Sequence, residues 1–310
     1  MDSFAILIPT HNRPRELSIL LRSIEKSTRL PSQVVVIASG QDVAHITNEF
    51  SKSLEIAYLH TAMKGQIAQK RIGMELVSKK ADWCVFLDDD LILQDSAIDL
   101  ALSTAKSYKK RDIIGIGLGL PPSSRALNVS RFNKKLLKLF KLSSSRPGKV
   151  LSSGHATSYL QETSVVETQW LNGASIWRTE YARRYGVNLP STPYAACEDL
   201  IFSYPLSKQG TLIYVPEAKA MFQDTDLSKF NSFKVMEAAA LWRFYFVSKH
   251  KELSLGFFFL SQLIRTLYAM FNPQDPKLRL LKNLLALNWK LLKTIITKRD
   301  PEELLSELRH

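Results

Sequence analysis

Three adjacent aspartates, Asp88, Asp89 and Asp90, follow directly after an apolar run at residues 83–87. The β-prone run predicts a buried strand, and open α/β sheets bind ligands at the carboxyl ends of their strands. Neighbouring carboxylates repel one another unless a cation offsets their charge. Mg²⁺ and Mn²⁺ take carboxylate oxygens and often hold substrate phosphates as well. The triplet therefore favours a divalent metal site, although a plain acidic turn explains three aspartates equally well.

Two further groups of charged residues lie at predicted helix starts. Glu198 and Asp199 form an acidic pair that either caps a helix N-terminus or supplies a general base. Lys70 and Arg71 follow Gly65-Gln66, where basic side chains hold phosphates or simply form a solvated helical face. Spacing alone does not choose between these alternatives.

The elements that must position these residues form a strand–helix–strand unit. Residues 4–8 predict an apolar strand, a helix begins at Pro14, and residues 34–37 predict a second apolar strand. Continuous apolar strands of this kind are typical of a parallel sheet. The loop after the first strand then lies where a nucleotide binds.

The composition limits the possible partners. The chain has 310 residues, 45% of them hydrophobic, and a formal net charge of +13. Such a charge favours an anionic partner, either nucleotide phosphates, nucleic acid or an anionic membrane surface. No nucleic-acid-binding module is recognisable, so we expect no nucleic-acid partner. Two cysteines give no disulfide framework, which fits a reducing cytoplasm.

Two stretches indicate contact with a membrane surface. Residues 131–142 read as a basic amphipathic segment, which either lies on an anionic bilayer or packs on the domain surface. Residues 253–271 are apolar but are interrupted by polar residues, which predicts an interfacial or buried helix rather than a membrane span. The N-terminus has no basic n-region and is not expected to be a signal peptide. From Lys229 onward, 14 Lys or Arg stand against 7 Asp or Glu.

The order of these pieces resembles the inverting glycosyltransferases of family 2, which have the GT-A fold. The resemblance covers roughly the first 220 residues. The matching segments are Ile8-Pro9-Thr10-His11-Asn12-Arg13, Val34-Val35-Val36-Ile37-Ala38-Ser39-Gly40, Gly65-Gln66 with Lys70-Arg71-Ile72-Gly73, Phe86-Leu87-Asp88-Asp89-Asp90, Asn172-Gly173-Ala174, and Glu198-Asp199-Leu200 with Gly210.

The resemblance implies an α/β fold of the GT-A class, which is a Rossmann-like, mixed but mainly parallel sheet with flanking helices. It predicts a glycosyltransferase domain at residues 1–226, with a basic amphipathic insertion at 121–150. It also predicts a basic helical C-terminal region at residues 227–310, which is expected to associate with a membrane.

The resemblance also implies roles for individual residues. Asp199 is the expected catalytic base, with Glu198 as the alternative. Asp88, Asp89 and Asp90 look like the family's Asp-x-Asp motif, in which Asp90 and Asp88 would hold Mn²⁺ or Mg²⁺. The residues expected to bind the nucleotide sugar are Pro9, Thr10, Asn12, Arg13, Ser39, Lys70, Arg71, Asp88, Asp89, Gly173 and Ala174.

Four departures from the family pattern affect what is expected. Ala38-Ser39 stand where many relatives have acids that read the base, and Lys70 stands where the family usually has Arg. No His follows the last strand, so the metal site would either be weaker or use Asp224 as a ligand instead. Leu241-Trp242-Arg243-Phe244 is not the Gln-x-x-Arg-Trp motif of processive synthases, which predicts addition of one sugar per event.

The expected function is metal-dependent transfer of a sugar from a nucleotide-diphosphate sugar to a saccharide acceptor. The acceptor is expected to be lipid-linked, in cell-surface polysaccharide or lipopolysaccharide synthesis. The expected location is the cytoplasm, peripheral on the inner face of the cell membrane. Two alternatives stay open: a metal-dependent nucleotidyltransferase, and a non-catalytic protein of the same fold that binds a nucleotide sugar or a membrane.

Overall fold

The computed structural model describes residues 2–109, 112–121, 143–185, 189–190, 192, 195–223, 233–271 and 277–308. The chain divides into two compact units. The first comprises Met1–Ala126, Ser158–Pro193 and Asp199–Thr225, and the second comprises Leu127–Thr157, Tyr194–Glu198 and Asp226–His310. The domain boundary between residues 226 and 227 stays a prediction. The amphipathic segment at residues 131–142 and Asp224 lie outside the described residues.

A mixed sheet forms the centre of the first unit. Its strands are β1 Phe4–His11, β2 Gln33–Ser39, β3 Ile56–Thr61, β4 Trp83–Phe86, β5 Leu91–Leu93, β6 Ile113–Gly119, β7 Val166–Thr168, β8 Ser175–Arg178 and β9 Thr211–Phe222. The spatial order is β3-β2-β1-β4-β8-β6-β9-β5, and β7 pairs with β9. Neighbours from β3 to β4 are parallel, as are β6 and β9, whereas β8 runs antiparallel to β4 and β6.

Helices connect these strands. They are α1 Pro14–Glu25, α2 Ala44–Glu49, α3 Gln66–Leu76, α4 Ala97–Ser107, α5 Thr179–Ala182 and α6 Glu198–Leu206. Pro14 occupies the first turn of α1, where its missing N–H costs no hydrogen bond. The apolar face of α1 is fully buried through Leu17, Leu20, Leu21 and Ile24. Each such side chain contributes about 1.5–3 kcal/mol when removed from water.

Strand β9 continues through Pro216, at the point where it leaves one partner for another. Residues up to Val215, and then Lys219, pair with β6 in parallel, and Ala220 to Phe222 pair with β5 in antiparallel. The register shifts between Leu118 and Gly119. A Cβ on Gly119 would lie 2.2 Å from the Pro216 carbonyl oxygen, so only glycine admits this close backbone approach.

Cys84 lies at the centre of the parallel half of the sheet. The side chain of Cys84 is fully buried in β4, and its Sγ lies 3.7 Å from Met74 Sδ of α3. Burial raises the pKa of the Cys84 thiol to about 12, against a weaker opposing effect of Arg183 and Lys70. The thiol therefore stays protonated as part of the apolar core.

The second unit is helical in its C-terminal part. Its helices are α7 Phe233–Lys249, α8 Leu255–Phe271, α9 Lys277–Ile296 and α10 Pro301–Ser306. Helix α9 packs on α8, and α10 packs on α7. Asp300 caps α10 by accepting a hydrogen bond from the Glu302 N–H. Within the described ranges, every helix is too short or too polar to cross a membrane.

Candidate active site

The aspartate triplet lies at the carboxyl end of β4, beside the carboxyl end of β1. The Thr10 hydroxyl donates a hydrogen bond of 2.7 Å to Asp89 Oδ2. Arg13 Nη1 donates to Asp89 Oδ1 at 2.9 Å and to Asp90 Oδ2 at 3.1 Å. Asp88 is paired with neither, and its side chain is 37% exposed. The parallel pairing of β1 and β4 thus brings together Thr10, Arg13 and all three acids.

These carboxylates are short of positive charge. Burial raises the pKa of Asp89 to about 6, although Thr10 and Arg13 both act to lower it. Burial also raises the pKa of Asp90, and the negative charge of Asp88 raises it further. One guanidinium that is itself 41% exposed does not offset this crowding. A further cation at this end of β4 would stabilise the ionised forms.

Lys70 supplies a fixed charge beneath Asp88. Its side chain is buried, and Nζ lies 3.7 Å from Asp88 Oδ1. Nζ also lies 5.6 Å from the centre of the Phe86 ring and 5.3 Å from that of Tyr185. Cation–π attraction and the carboxylate both favour the charged amine in this apolar setting. Lys70 is therefore placed under the aspartate rather than extended towards solvent.

Gly173 is the point at which two acids from distant parts of the chain converge. A Cβ on Gly173 would lie 2.7 Å from Asp88 Oδ2 and 3.5 Å from Asp199 Oδ2. The glycine leaves open the space that both carboxylates face. Ala174 is buried immediately before β8, which fixes the position of this segment. The structure thus brings Asp88 and Asp199 to one small opening.

The acidic pair lies at the start of α6. Glu198 is buried, whereas Asp199 is partly exposed. Burial raises the pKa of Tyr159 well above its ordinary value, and the nearby charge of Asp199 adds to the increase. Exposure makes Asp199 the acid of the pair that an incoming hydroxyl reaches more readily.

The loop after β1 contacts the end of β2. His11 Nδ1 lies 2.9 Å from the Ser39 hydroxyl, and Ser39 is buried. Asn12 adopts a left-handed backbone with φ of 55°, and its Oδ1 accepts a hydrogen bond from the Gln41 N–H at 2.7 Å. Pro9 is buried in β1, opposite Ile37 of β2.

Arg71 is the predicted site residue that lies apart from the acids. It is exposed on α3, and its Nη2 donates to the Leu189 carbonyl oxygen at 3.1 Å. Its neighbour Gln69, which was not singled out from sequence, is buried. Gln69 Nε2 donates to the carbonyl oxygens of Thr10 at 2.7 Å and Ile37 at 2.8 Å. This glutamine holds the ends of β1 and β2 together.

Gln223 is a second supporting residue without a signal in the sequence. Its Nε2 donates to the carbonyl oxygens of Glu16 at 3.0 Å, Leu91 at 3.1 Å and Asp89 at 3.3 Å. The amide thereby fixes the backbone of the aspartate triplet from the end of β9. Its partners are more than 130 positions away in sequence, so no local pattern indicates the contact.

The donor set fits a divalent ion that shares its coordination with a ligand. Among the described residues, no three His, Cys, Asp or Glu side chains form a metal cluster. Asp88 Oδ1 is a buried carboxylate oxygen with no hydrogen bond in this part of the chain. Mg²⁺ is commonly bound by one or two carboxylates together with substrate phosphates. Asp88 and Asp90 meet that requirement.

One family model matches the N-terminal part of the chain. The profile described as "Glycosyl transferase family 2" matches residues 5–151. This match confirms the resemblance drawn from the motifs. The comparison with curated proteins finds no significant match.

Solved structures with the same fold include three proteins of low sequence identity. TarS 1–349 of S. aureus, in complex with UDP-GlcNAc, is 14% identical over 97% of this chain and 77% of its own, with a TM-score of 0.50. The mannosyltransferase PcManGT of Pyrobaculum calidifontis, with GDP-Man and Mn²⁺, is 12% identical over 98% and 83%, with a TM-score of 0.53. GalNAc-T7 with UDP, GalNAc and Mn²⁺ is 14% identical over 97% of this chain but only 58% of its own, with a TM-score of 0.57. The predicted GT-A class is confirmed.

Proposed function

We propose, from the match of residues 5–151 to glycosyl transferase family 2, that the chain transfers one sugar from a nucleotide-diphosphate sugar to a hydroxyl group of a saccharide. The observation that carries the proposal is the convergence of Asp88 and Asp199 on Gly173. One acid belongs to the strand end where nucleotides bind in such sheets, and the other is partly exposed beside it.

Asp199 acts as the general base of a single displacement. Its Oδ2 accepts the proton of the acceptor hydroxyl while the hydroxyl oxygen attacks the anomeric carbon. The bond from that carbon to the diphosphate oxygen breaks in the same step, and the anomeric configuration is inverted. Gly173 supports this role because its missing side chain lets the carboxylates of Asp88 and Asp199 approach the same point.

The aspartate triplet and its basic neighbours receive the diphosphate. Arg13 is half exposed at the triplet, so its guanidinium can contact phosphate oxygens while it holds Asp89. Lys70 acts from below through Asp88, whose orientation it fixes. Asp88 and Asp90 would hold Mn²⁺ or Mg²⁺, which would stabilise the charge that develops on the leaving diphosphate.

The acceptor we propose is a lipid-linked saccharide in cell-surface polysaccharide or lipopolysaccharide synthesis. Support comes from the basic C-terminal region, which suits an anionic bilayer. The corresponding location is the cytoplasmic face of the membrane, with peripheral attachment.

The test is release of nucleoside diphosphate from a panel of nucleotide sugars with Mn²⁺, in the presence of a membrane-lipid extract as acceptor source. One donor should react, and EDTA should abolish release. Asp199→Asn should lower the rate about 10²–10⁴-fold, since it removes the base. Asp99→Asn is the matched control, because Asp99 is 53% exposed and pairs only with Arg29 among the residues that the structure describes.

The same experiment separates the two alternatives. Release of pyrophosphate instead of nucleoside diphosphate would indicate a nucleotidyltransferase. Binding of a donor without any release, with extract present, would indicate a non-catalytic protein. Full activity in Asp199→Asn would contradict the role of that acid as the general base. Glu198 would then be the remaining candidate for the base.

A further inference from the structure

Helix α9 carries an outward apolar stripe. The spacing of four, three and four residues places its members on one face. They are Leu285, Trp289, Leu292 and Ile296, which are 55%, 63%, 40% and 66% exposed. The opposite face is buried through Leu284, Leu287 and Leu291. An ordinary surface helix has only one apolar face, so the outer stripe needs an explanation of its own.

Helix α8, which packs on α9, also exposes apolar side chains, and in addition it buries polar ones. Its polar residues Gln262 and Thr266 are each 4% exposed, whereas Leu263 and Leu267 are 52% and 42% exposed. Asn288 Nδ2 of α9 donates to Thr266 Oγ1 at 3.1 Å. Polar residues between helices and leucines outside are typical of helices packed in lipid. Water alone does not favour this arrangement.

Two lysines lie beside the stripe. Lys282 precedes Leu285 by three residues, and Lys293 follows Trp289 by four, so both lie along its edge. Both are exposed and have no ion-pair partner among the residues that the structure describes. By contrast, Lys290 is paired with Glu307 at 2.9 Å, and Arg299 with Glu303 at 2.7 Å.

We propose that the outward face of α8 and α9 docks on an anionic lipid bilayer. The helices lie in the interface, with the leucines among the upper acyl chains, Trp289 at headgroup level and the two lysines on lipid phosphates. The inference deepens the membrane attachment of the proposed function by assigning it to a surface. It depends on no catalytic residue.

Charge favours a bilayer over a second copy of the chain. In a symmetric dimer the same patch meets itself, so Lys282 and Lys293 would approach their own equivalents. Like charges across an interface are costly, whereas anionic headgroups complement them. A second copy is therefore an outcome that the test must distinguish, not the expected occupant.

The first experiment measures flotation of the full chain with vesicles of phosphatidylcholine and phosphatidylglycerol. The variant L285Q/W289Q/L292Q should bind at least about tenfold more weakly than the parent, because it removes the inserted apolar surface. The matched control is L30Q/M63Q/L76Q, which changes three exposed apolar residues of the first unit and should bind as the parent does. All six positions are exposed, and circular dichroism checks that each variant is folded.

The second experiment tests the lysines. K282Q/K293Q should lower the partition onto anionic vesicles about 30-fold, and high salt should produce a similar loss in the parent chain. The control K52Q/K79Q removes the same charge from exposed positions of the first unit. If both pairs weaken binding equally, net charge rather than this face attracts the protein, and the proposal is wrong.

The third experiment locates the contact directly. Brominated lipids quench tryptophans that reach the bilayer. Of the other four tryptophans, Trp83, Trp177 and Trp242 are buried, and Trp170 of the first unit is partly exposed. Quenching should occur in the parent and be largely lost in Trp289→Phe, which keeps an aromatic ring. Quenching that persists in Trp289→Phe would place the contact elsewhere and overturn the proposal.

Two other outcomes would also overturn it. One is the absence of vesicle binding at low salt. The other is a dimer in sedimentation equilibrium that L285Q/W289Q/L292Q converts to monomer, which would assign the face to a second copy. Vesicle binding is measured without donor or acceptor, so its failure is distinct from failure of sugar transfer.

Discussion

The carboxyl ends of β1 and β4 and the outward face of α8 and α9 arrange polar groups in opposite ways. At the strand ends, charged groups gather around an opening, and each is held by another part of the fold, as Asp89 is by Thr10 and Arg13. On the helices, the polar groups Thr266 and Asn288 turn inward and leucines turn outward. The first arrangement suits a charged small molecule, and the second suits an apolar phase.

The difference shows that burial alone does not identify function in this chain. A buried polar group costs free energy unless it is paired, and each region contains such a pair, Thr10 with Asp89 in one and Asn288 with Thr266 in the other. What distinguishes them is the remaining surface, which is acidic with space for a ligand in one region and apolar with flanking lysines in the other. Four changes test this comparison.

The largest effect is expected from Gly173→Ala. The added Cβ lies 2.7 Å from Asp88 Oδ2, so that carboxylate must move. Such a displacement at the reacting centre should lower the transfer rate about 100-fold. Thermal unfolding should change little, because the displaced atom ends a side chain. Gly256→Ala is the control, since its Cβ meets only Ser254 Oγ at 3.5 Å. Equal rates in both variants would show that the opening at Gly173 is not the reaction site.

Thr10→Val tests the polar pairing at the strand ends. The valine keeps the shape but removes the hydrogen bond to the buried Asp89 carboxylate. The free energy of unfolding should fall by about 1–3 kcal/mol in a denaturant titration. Thr28→Val, at an exposed position, should stay within about 0.5 kcal/mol of the parent. A loss no greater than that of the control would mean that Asp89 does not depend on Thr10.

Thr266→Val tests the corresponding pairing between α8 and α9. It leaves Asn288 without the acceptor Thr266 Oγ1 and should cost about 1 kcal/mol of unfolding free energy. Thr297→Val is a matched control, because Thr297 donates to the carbonyl four residues before it as Thr266 does, but is exposed. If the two variants are equally stable, the inward polar contact contributes nothing to the helix pair.

The smallest effect is expected from Tyr58→Phe, which removes a hydrogen bond near the end of β2. The Tyr58 hydroxyl donates to Asp42 Oδ1 at 2.6 Å, and burial raises the pKa of Tyr58 from about 10 to about 12. The folded chain therefore keeps this proton while the unfolded chain loses it. The resulting stability is present below pH 10 and is lost as the pH rises towards 12.

Denaturation between pH 8 and pH 12 measures this change. The parent should lose stability more steeply than Tyr58→Phe as the pH rises from about 10 to about 12. Tyr181→Phe serves as the control, because the Tyr181 hydroxyl makes no hydrogen bond among the described residues. Parallel slopes in the parent and Tyr58→Phe would contradict the assignment to this hydroxyl.

Local patterns predict the parallel half of the sheet well. Residues 4–8, 34–37 and 83–87 are continuous apolar runs, and they correspond to β1, β2 and β4. The aspartate triplet is predicted for the same reason, since it directly ends such a run. The site roles assigned to Asp90, Asp199 and the nucleotide-binding residues stay predictions.

Long-range geometry accounts for what the patterns miss. The sequence predicts that the last strand ends before Pro216, yet β9 continues to Phe222 because Gly119 allows the Pro216 carbonyl to approach. The contact of Arg13 with Asp89 spans 76 positions, and no local pattern indicates it. Gln262 and Thr266 interrupt an apolar stretch in the sequence, but only packing shows that they face inward.

The sealed thiol of Cys84 gives the chain a built-in reporter of sheet opening. Only thiolates react quickly with maleimides. This thiol is fully buried, and its pKa of about 12 keeps it protonated at neutral pH. The chain has one other cysteine, Cys197, which is partly exposed. Labelling of Cys84 should therefore follow the population of molecules in which β4 separates from α3. The time course of mass increase then gives the opening free energy of the sheet without an introduced cysteine.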